Sequence, residues 1–308
     1  MPGLLDTRLL FVTGKGGVGK STVAAALGLA AARRGLRTIV AELSGQARAA
    51  GTFGVAPAAG RELRLDERLF AISIDVPRAM DEYLHERAGR LGDALGASRA
   101  FHAFAAATPG MRELLSIGKV WELAQEPLRV AGGEPYDLVI VDAPATGHAL
   151  GALRAPRTFA EIARVGPIAH QGRTIDATLR DPSATAVLAV ALAEEMPVGE
   201  TLALRDGLRV ALGLELAHVV VNACHPDRIG PRQASAVAGA LERARAPLAR
   251  AALRAALAEH ARGRLQRAQV ARLAEGLGRE PHALPYVLAP LLDRAALTTL
   301  ADALEPLL

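Results

Sequence analysis

Leu9-Leu10-Phe11-Val12-Thr13-Gly14-Lys15-Gly16-Gly17-Val18-Gly19-Lys20-Ser21-Thr22 decides the fold. A β-prone run ends at Thr13 and a glycine-rich loop follows. An Ala/Leu-rich helix is then predicted from about Lys20 to Arg34, stopped by Gly35. This is the phosphate loop GxxxxGK[ST] in its required setting, strand before and helix after. The chemistry explains the residue types. Glycines let consecutive N–H groups turn inward around phosphate oxygens, and the helix N-terminus adds positive partial charge. Lys20 is placed to reach the β- and γ-phosphates, and the Ser21 hydroxyl to coordinate Mg²⁺. ATP and Mg²⁺ are the expected ligands, with Gly14, Lys15, Gly16, Gly17, Val18, Gly19, Lys20, Ser21 and Thr22 around the phosphates.

Outward from this loop, apolar runs predict strands at Arg37–Glu42, Leu69–Asp75, Asp137–Asp142, Ala186–Leu192 and His218–Asn222, with a short last one at Leu284–Leu288. Helical segments separate them. The alternation predicts an α/β P-loop NTPase fold, a mostly parallel doubly wound sheet flanked by helices, as one domain over residues 1–308. The stretches at about 77–130 and 155–182 hold more apolar positions than sheet-covering helices need, among them Phe101 with Phe104 and Leu114 with Ile117 and Gly118. They are expected to form an inserted helical subdomain, either by ordinary packing or as a hydrophobic client- or partner-binding surface.

Composition narrows the class. Half of the 308 residues are apolar (51%), which excludes general disorder. The longest uncharged apolar stretch, Ala184–Ala193, is about half a membrane span, and no signal-peptide pattern opens the chain, so a cytoplasmic protein is expected. A single cysteine, Cys224, excludes a disulfide framework. Of 36 basic residues only Lys15, Lys20 and Lys119 are lysine, and two of these sit in one loop.

That second loop lysine, Lys15, makes the motif similar to the deviant Walker A loop of the ATPases related to MinD, ParA, the nitrogenase iron protein and ArsA. The resemblance implies a nucleotide-sandwich dimer in which Lys15 reaches the partner's nucleotide as an arginine finger would. Tyr136-Asp137-Leu138-Val139-Ile140-Val141-Asp142 reads as the strand whose terminal acid, Asp142, binds the Mg²⁺ shell. The following Ala143-Pro144-Ala145-Thr146-Gly147-His148-Ala149-Leu150 resembles the ArsA family signature D-T-A-P-T-G-H-T-L-R. There Pro144, Thr146, Gly147 and His148 would be a switch that senses the γ-phosphate. Pro109-Gly110 with Glu113-Leu114 and Lys119-Val120, and Glu195-Met196-Pro197-Val198 with Glu200-Thr201, extend the likeness. By the same resemblance Asn222 would read the adenine edge, and Pro285 and Tyr286 would pack beside the base.

Two departures bear on function. The tail-anchored-protein carriers of this family use a CxxC pair for zinc, whereas here Cys224 is followed by His225. Such a pair from each of two subunits would supply four ligands; otherwise Cys224 packs against the core and His225 caps a loop. After the second strand the family carries a water-orienting aspartate, where this chain has Ser44. A serine cannot accept the water's proton as a carboxylate can. Glu42, two residues earlier on the same strand face, is the substitute, or hydrolysis is slow.

The leading reading is a dimeric ATPase, homodimer or heterodimer with a paralogous ArsA-like ATPase, that couples nucleotide state to a hydrophobic helical client or partner. The alternative is a near-inactive nucleotide-binding regulatory subunit of such a heterodimer. A MinD- or ParA-like positioning ATPase is disfavoured because the tail, Arg294–Leu308, carries Asp302 and Glu305 and no late basic residues. From Arg228 to Arg279 eleven arginines face three glutamates, a local net of +8. Without interleaved aromatics this argues against specific nucleic-acid binding and leaves membrane contact at most peripheral.

Overall fold

The computed structural model describes residues 3–82, 84–85, 108, 110–125, 134–289 and 291–308. Its strands are β1 (Leu9–Gly14), β2 (Thr38–Glu42), β3 (Glu62–Arg64), β4 (Leu69–Ser73), β5 (Leu138–Ala145), β6 (Thr185–Leu192), β7 (His218–Cys224) and β8 (His282–Pro285). They form one sheet in the order β3-β4-β2-β5-β1-β6-β7-β8. All neighbours are parallel except β3, a three-residue antiparallel edge strand. The sequence gives no warning of β3. It carries Glu62 and Arg64 on an exposed edge, where charge guards against further pairing. The last strand lies two to three residues earlier than expected and ends on Pro285, which an edge strand tolerates.

The inner strands are buried on both faces, as a sheet covered on two sides requires. Alternate residues of β1 separate the two cores. Leu9 and Phe11 pack with Ile117, Trp121, Leu153 and Leu208 from α3 (Met111–Leu123), α4 (Thr146–Ala163) and α6 (Glu195–Leu212). Leu10 and Val12 face the other way, onto Leu27 and Leu300 of α1 (Lys20–Arg33) and α9 (Arg294–Leu304). At about 25 cal/mol per Å² of apolar area removed from water, these two layers are the main stabilising contribution.

Several expected features differ or fall elsewhere. The helical stretch foreseen at 155–182 is two helices: α4 starts directly after β5, and α5 (Pro167–Arg180) packs beside it. Ala149, Ala152 and Leu153 of α4 belong to the core under the sheet, so this helix serves the sheet as well as the helical layer. Phe101, Phe104 and Pro109 lie outside the described residues. The arginine-rich segment forms α7 (Pro231–Arg243) and the 31-residue α8 (Pro247–Leu277), in which Gly263 and Leu273 are the buried positions. No helix of the described residues is long and apolar enough to cross a membrane.

Candidate functional site

Parallel strands bring their C-terminal ends to one edge, and β1 delivers the glycine loop there between β5 and β6. Two glycines are obligatory. Gly14 has φ +152° and a Cβ there would lie 2.0 Å from the Val190 carbonyl oxygen. Gly19, at φ +92°, would put a Cβ 2.3 Å from the Asn222 amide nitrogen. Gly19 opens α1 with no side-chain cap, so the helix presents unpaired N–H groups to the loop's concave side.

The side chains around this loop meet across long sequence distances. The Lys20 ammonium donates to the Lys15 carbonyl at 3.1 Å, folded back over its own loop. Burial pushes its pKa down, while Asp142 opposes the shift. The Ser21 hydroxyl donates to Asp142 Oδ2 at 2.5 Å. Asp142 is 4% exposed, and burial, with a smaller contribution from Glu42, raises its pKa above the usual carboxylate range. β5 runs on past Asp142 to Ala145, so the acid is not the strand's last residue as expected, but the hydroxyl and carboxylate held together beside the loop are hard oxygen donors of the kind Mg²⁺ takes.

Lys15 leaves the loop in the other direction. Its ammonium lies 2.7 Å from Glu200 Oε1 of α6, and the Thr146 hydroxyl donates to Glu200 Oε2 at 3.1 Å. The Lys15 hydrogen bond holds the Glu200 carboxyl below its ordinary pKa. Glu200 thus ties the loop to the first residue of α4, at the segment Pro144, Thr146, Gly147 and His148. Thr13 secures the same segment by donating to the Pro144 carbonyl at 3.1 Å. The sequence marks Glu200 only through its pairing with Thr201, and nothing local announces its contact with Lys15.

Glu42 is 1% exposed and both of its oxygens are engaged: Arg48 N–H donates to one at 2.9 Å and Ala49 N–H to the other at 2.6 Å. The carboxylate thereby anchors the start of α2 (Arg48–Thr52). Ser44 is exposed on the connection between β2 and α2. A cavity of about 640 Å³ opens beside these groups, lined by Gly17, Gly19, Lys20, Ser21 and Thr22 of the loop, by Arg48, Gly51, Thr52 and Gly54, and by Leu291, Leu292 and Asp293. Arg48 and the 291–293 segment carry no motif, although Asp293 reads as a helix cap and accepts the Ala296 N–H at 2.9 Å.

Asn222, Pro285 and Tyr286 stand outside the lining of that cavity. Asn222 donates to the Val18 carbonyl at 3.0 Å and so braces the loop from β7. The Tyr286 N–H donates to the Cys224 carbonyl at 2.9 Å, and its ring stacks on His225 with centroids 4.7 Å apart. Cys224 packs against the core, burial raises its thiol pKa, and its sulfur contacts the Val221 carbonyl.

Known proteins resemble this chain in sequence. The sequence profile of the anion-transporting ATPases matches residues 7–169. ATPase BagA of Mycobacterium tuberculosis is 35% identical over 241 residues, 74% of this chain and 68% of that protein. ATPase get3 of Botryotinia fuckeliana is 29% identical over 168 residues, 53% of this chain and 47% of that protein. With more than half of its length matched by the profile and its glycine loop, Asp142 strand and following helix all inside that match, the chain belongs to the anion-transporting, or ArsA, ATPase family.

Proposed function

We propose that this chain binds Mg²⁺·ATP in the cavity beside Lys20 and hydrolyses it to ADP and phosphate, using the nucleotide to drive association with a second ATPase subunit. The carrying observation is the Ser21–Asp142 pair at 2.5 Å, set against a glycine loop with Lys20 at its rim. Ser21 and Asp142 would hold the metal, which when bound neutralises phosphate charge. Lys20 and the loop N–H groups bind the phosphates, and Lys15 is the residue assigned to the partner's nucleotide. The Glu200–Thr146 contact supports a route from the loop to the switch and on to α4 and its helical neighbours, the client or partner surface. Lys20→Ala should abolish ATP binding with the fold intact by circular dichroism. Unchanged affinity in that variant sinks the assignment.

The regulatory-subunit reading draws support from Ser44 and Glu42. Ser44 offers no carboxylate to the attacking water, and Glu42 is committed to α2. Loss of general-base help slows chemistry by roughly 10²-fold, about 2.7 kcal/mol of barrier. Intrinsic single-turnover hydrolysis should therefore be slow, and Ser44→Asp should raise it with little change in ATP affinity. Fast hydrolysis by the unmodified chain, indifferent to Ser44→Asp, argues for another water-orienting group.

A further inference from the structure

The 640 Å³ cavity contains a cation that no motif in the chain includes. Arg48 is the first residue of α2 and lines the same wall as Gly17, Gly19, Lys20, Ser21 and Thr22. Its place is fixed from beneath, because the buried Glu42 carboxylate holds the N–H groups of Arg48 and Ala49. Glu42 is in turn the register partner of Asp142 across β2 and β5. The Arg48 side chain is exposed, with no carboxylate partner among the described residues. Arg48 and Lys20 line one cavity, so two cations border the space beside the Ser21–Asp142 pair. Two cations turned toward one cavity repel each other until an anion enters, and a planar guanidinium fork suits phosphate oxygens.

We propose that Arg48 is a catalytic residue that binds the terminal phosphate of ATP, an arginine supplied in cis within the β2–α2 connection. The inference rests on the ATPase reading above and assigns it a residue. The direction of approach selects the terminal phosphate. The loop N–H groups belong to the β1–α1 turn, whereas Arg48 belongs to the β2–α2 connection, whose strand pairs with that of Asp142, so the two border the cavity from different sides. In the reaction the water oxygen bonds to the γ-phosphorus, and the bond from that phosphorus to the bridging oxygen breaks. The bridging oxygen leaves on ADP, and the water's proton ends on phosphate or solvent. Arg48 takes no proton; it carries charge that grows on the transferred group. A chain that has serine where its relatives place an aspartate would thus hold the terminal phosphate firmly while activating water weakly.

The test compares unmodified protein with Arg48→Ala, Arg48→Lys and Lys20→Ala, titrated with Mg²⁺·ADP and a non-hydrolysable ATP analogue and followed through a single turnover of ATP. Arg48 is exposed, so both of its variants should melt as the unmodified protein does. Arg48→Ala should bind ADP unchanged, bind the analogue at least about tenfold more weakly, and hydrolyse ATP at least about tenfold more slowly. Arg48→Lys should recover part of the affinity but little of the rate, since an ammonium is a point charge. An unchanged ratio of analogue to ADP affinity overturns the proposal, and so does an equal loss for both nucleotides. If instead the unmodified protein and Lys20→Ala both ignore ATP, the ATPase reading itself falls.

Discussion

Burial is the largest influence on Asp142 and raises its carboxyl above the ordinary range, with neighbouring Glu42 adding to the shift. The folded chain therefore favours protonated Asp142. That contribution is present below the unfolded-state pKa and is lost as pH rises through the higher folded-state value. At neutral pH the ionised group costs stability, which a bound cation would offset. Asp142→Asn keeps an acceptor for the Ser21 hydroxyl without the charge. The nucleotide-free variant should melt a few degrees above the unmodified protein at pH 7, and the gap should close as pH is lowered toward the carboxylate range. The same substitution should remove stabilisation by Mg²⁺·ATP. A variant that melts lower at neutral pH and still responds to Mg²⁺·ATP contradicts both halves.

Among elements, the α4–α5 pair shows how close packing is set by a single missing Cβ. Gly172 of α5 faces α4 so closely that a Cβ would lie 2.6 Å from the Pro156 carbonyl oxygen and 3.1 Å from the Ala160 Cβ. A backbone oxygen cannot rotate aside as a side-chain tip can. Gly172→Ala should force the helices apart and cost about 1–3 kcal/mol, read as a lower melting temperature with ATP affinity preserved. Gly151, on α4 itself, is the control, because nothing lies within 4 Å of its added Cβ. Gly151→Ala should be neutral or stabilising by about 0.5–1 kcal/mol, the usual gain of alanine over glycine in a helix. Equal effects at the two positions would mean that helix propensity, and not the crossing, governs this layer.

On the scale of the whole molecule, the contact between Lys15 and Glu200 spans 185 residues and joins the loop to α6. Both side chains are partly exposed, 26% and 37%, so the pair contributes at most about 1 kcal/mol. So weak a tie lets Lys15 leave Glu200 for a partner's nucleotide at small cost. Lys15→Ala should accordingly melt within about 1 kcal/mol of the unmodified protein and still bind ATP. It should lose the association that a non-hydrolysable analogue induces, as followed by sedimentation. If the analogue drives no association of the unmodified chain, alone or with a paralogue, Lys15 has no such role.

The parts whose physics is local are legible in the order of residues. Loop glycines are legible because only they allow the φ of Gly14 and Gly19, and the inner strands because burial on both faces leaves an unbroken apolar run. From these follow the α/β class, the parallel sheet and the family likeness that the profile match bears out. The partners of Glu42 and Lys15 and the far wall of the cavity were settled only by tertiary structure. It turned Glu42 onto the N–H groups of α2, set Lys15 on Glu200, and closed the cavity with Arg48 and the 291–293 segment. It also split the expected 155–182 stretch into parts of two helices and added β3. The reason is range: periodicity and φ preference act over a few residues, whereas a carboxylate's partner depends on which distant backbone or ammonium group folding brings within about 3 Å.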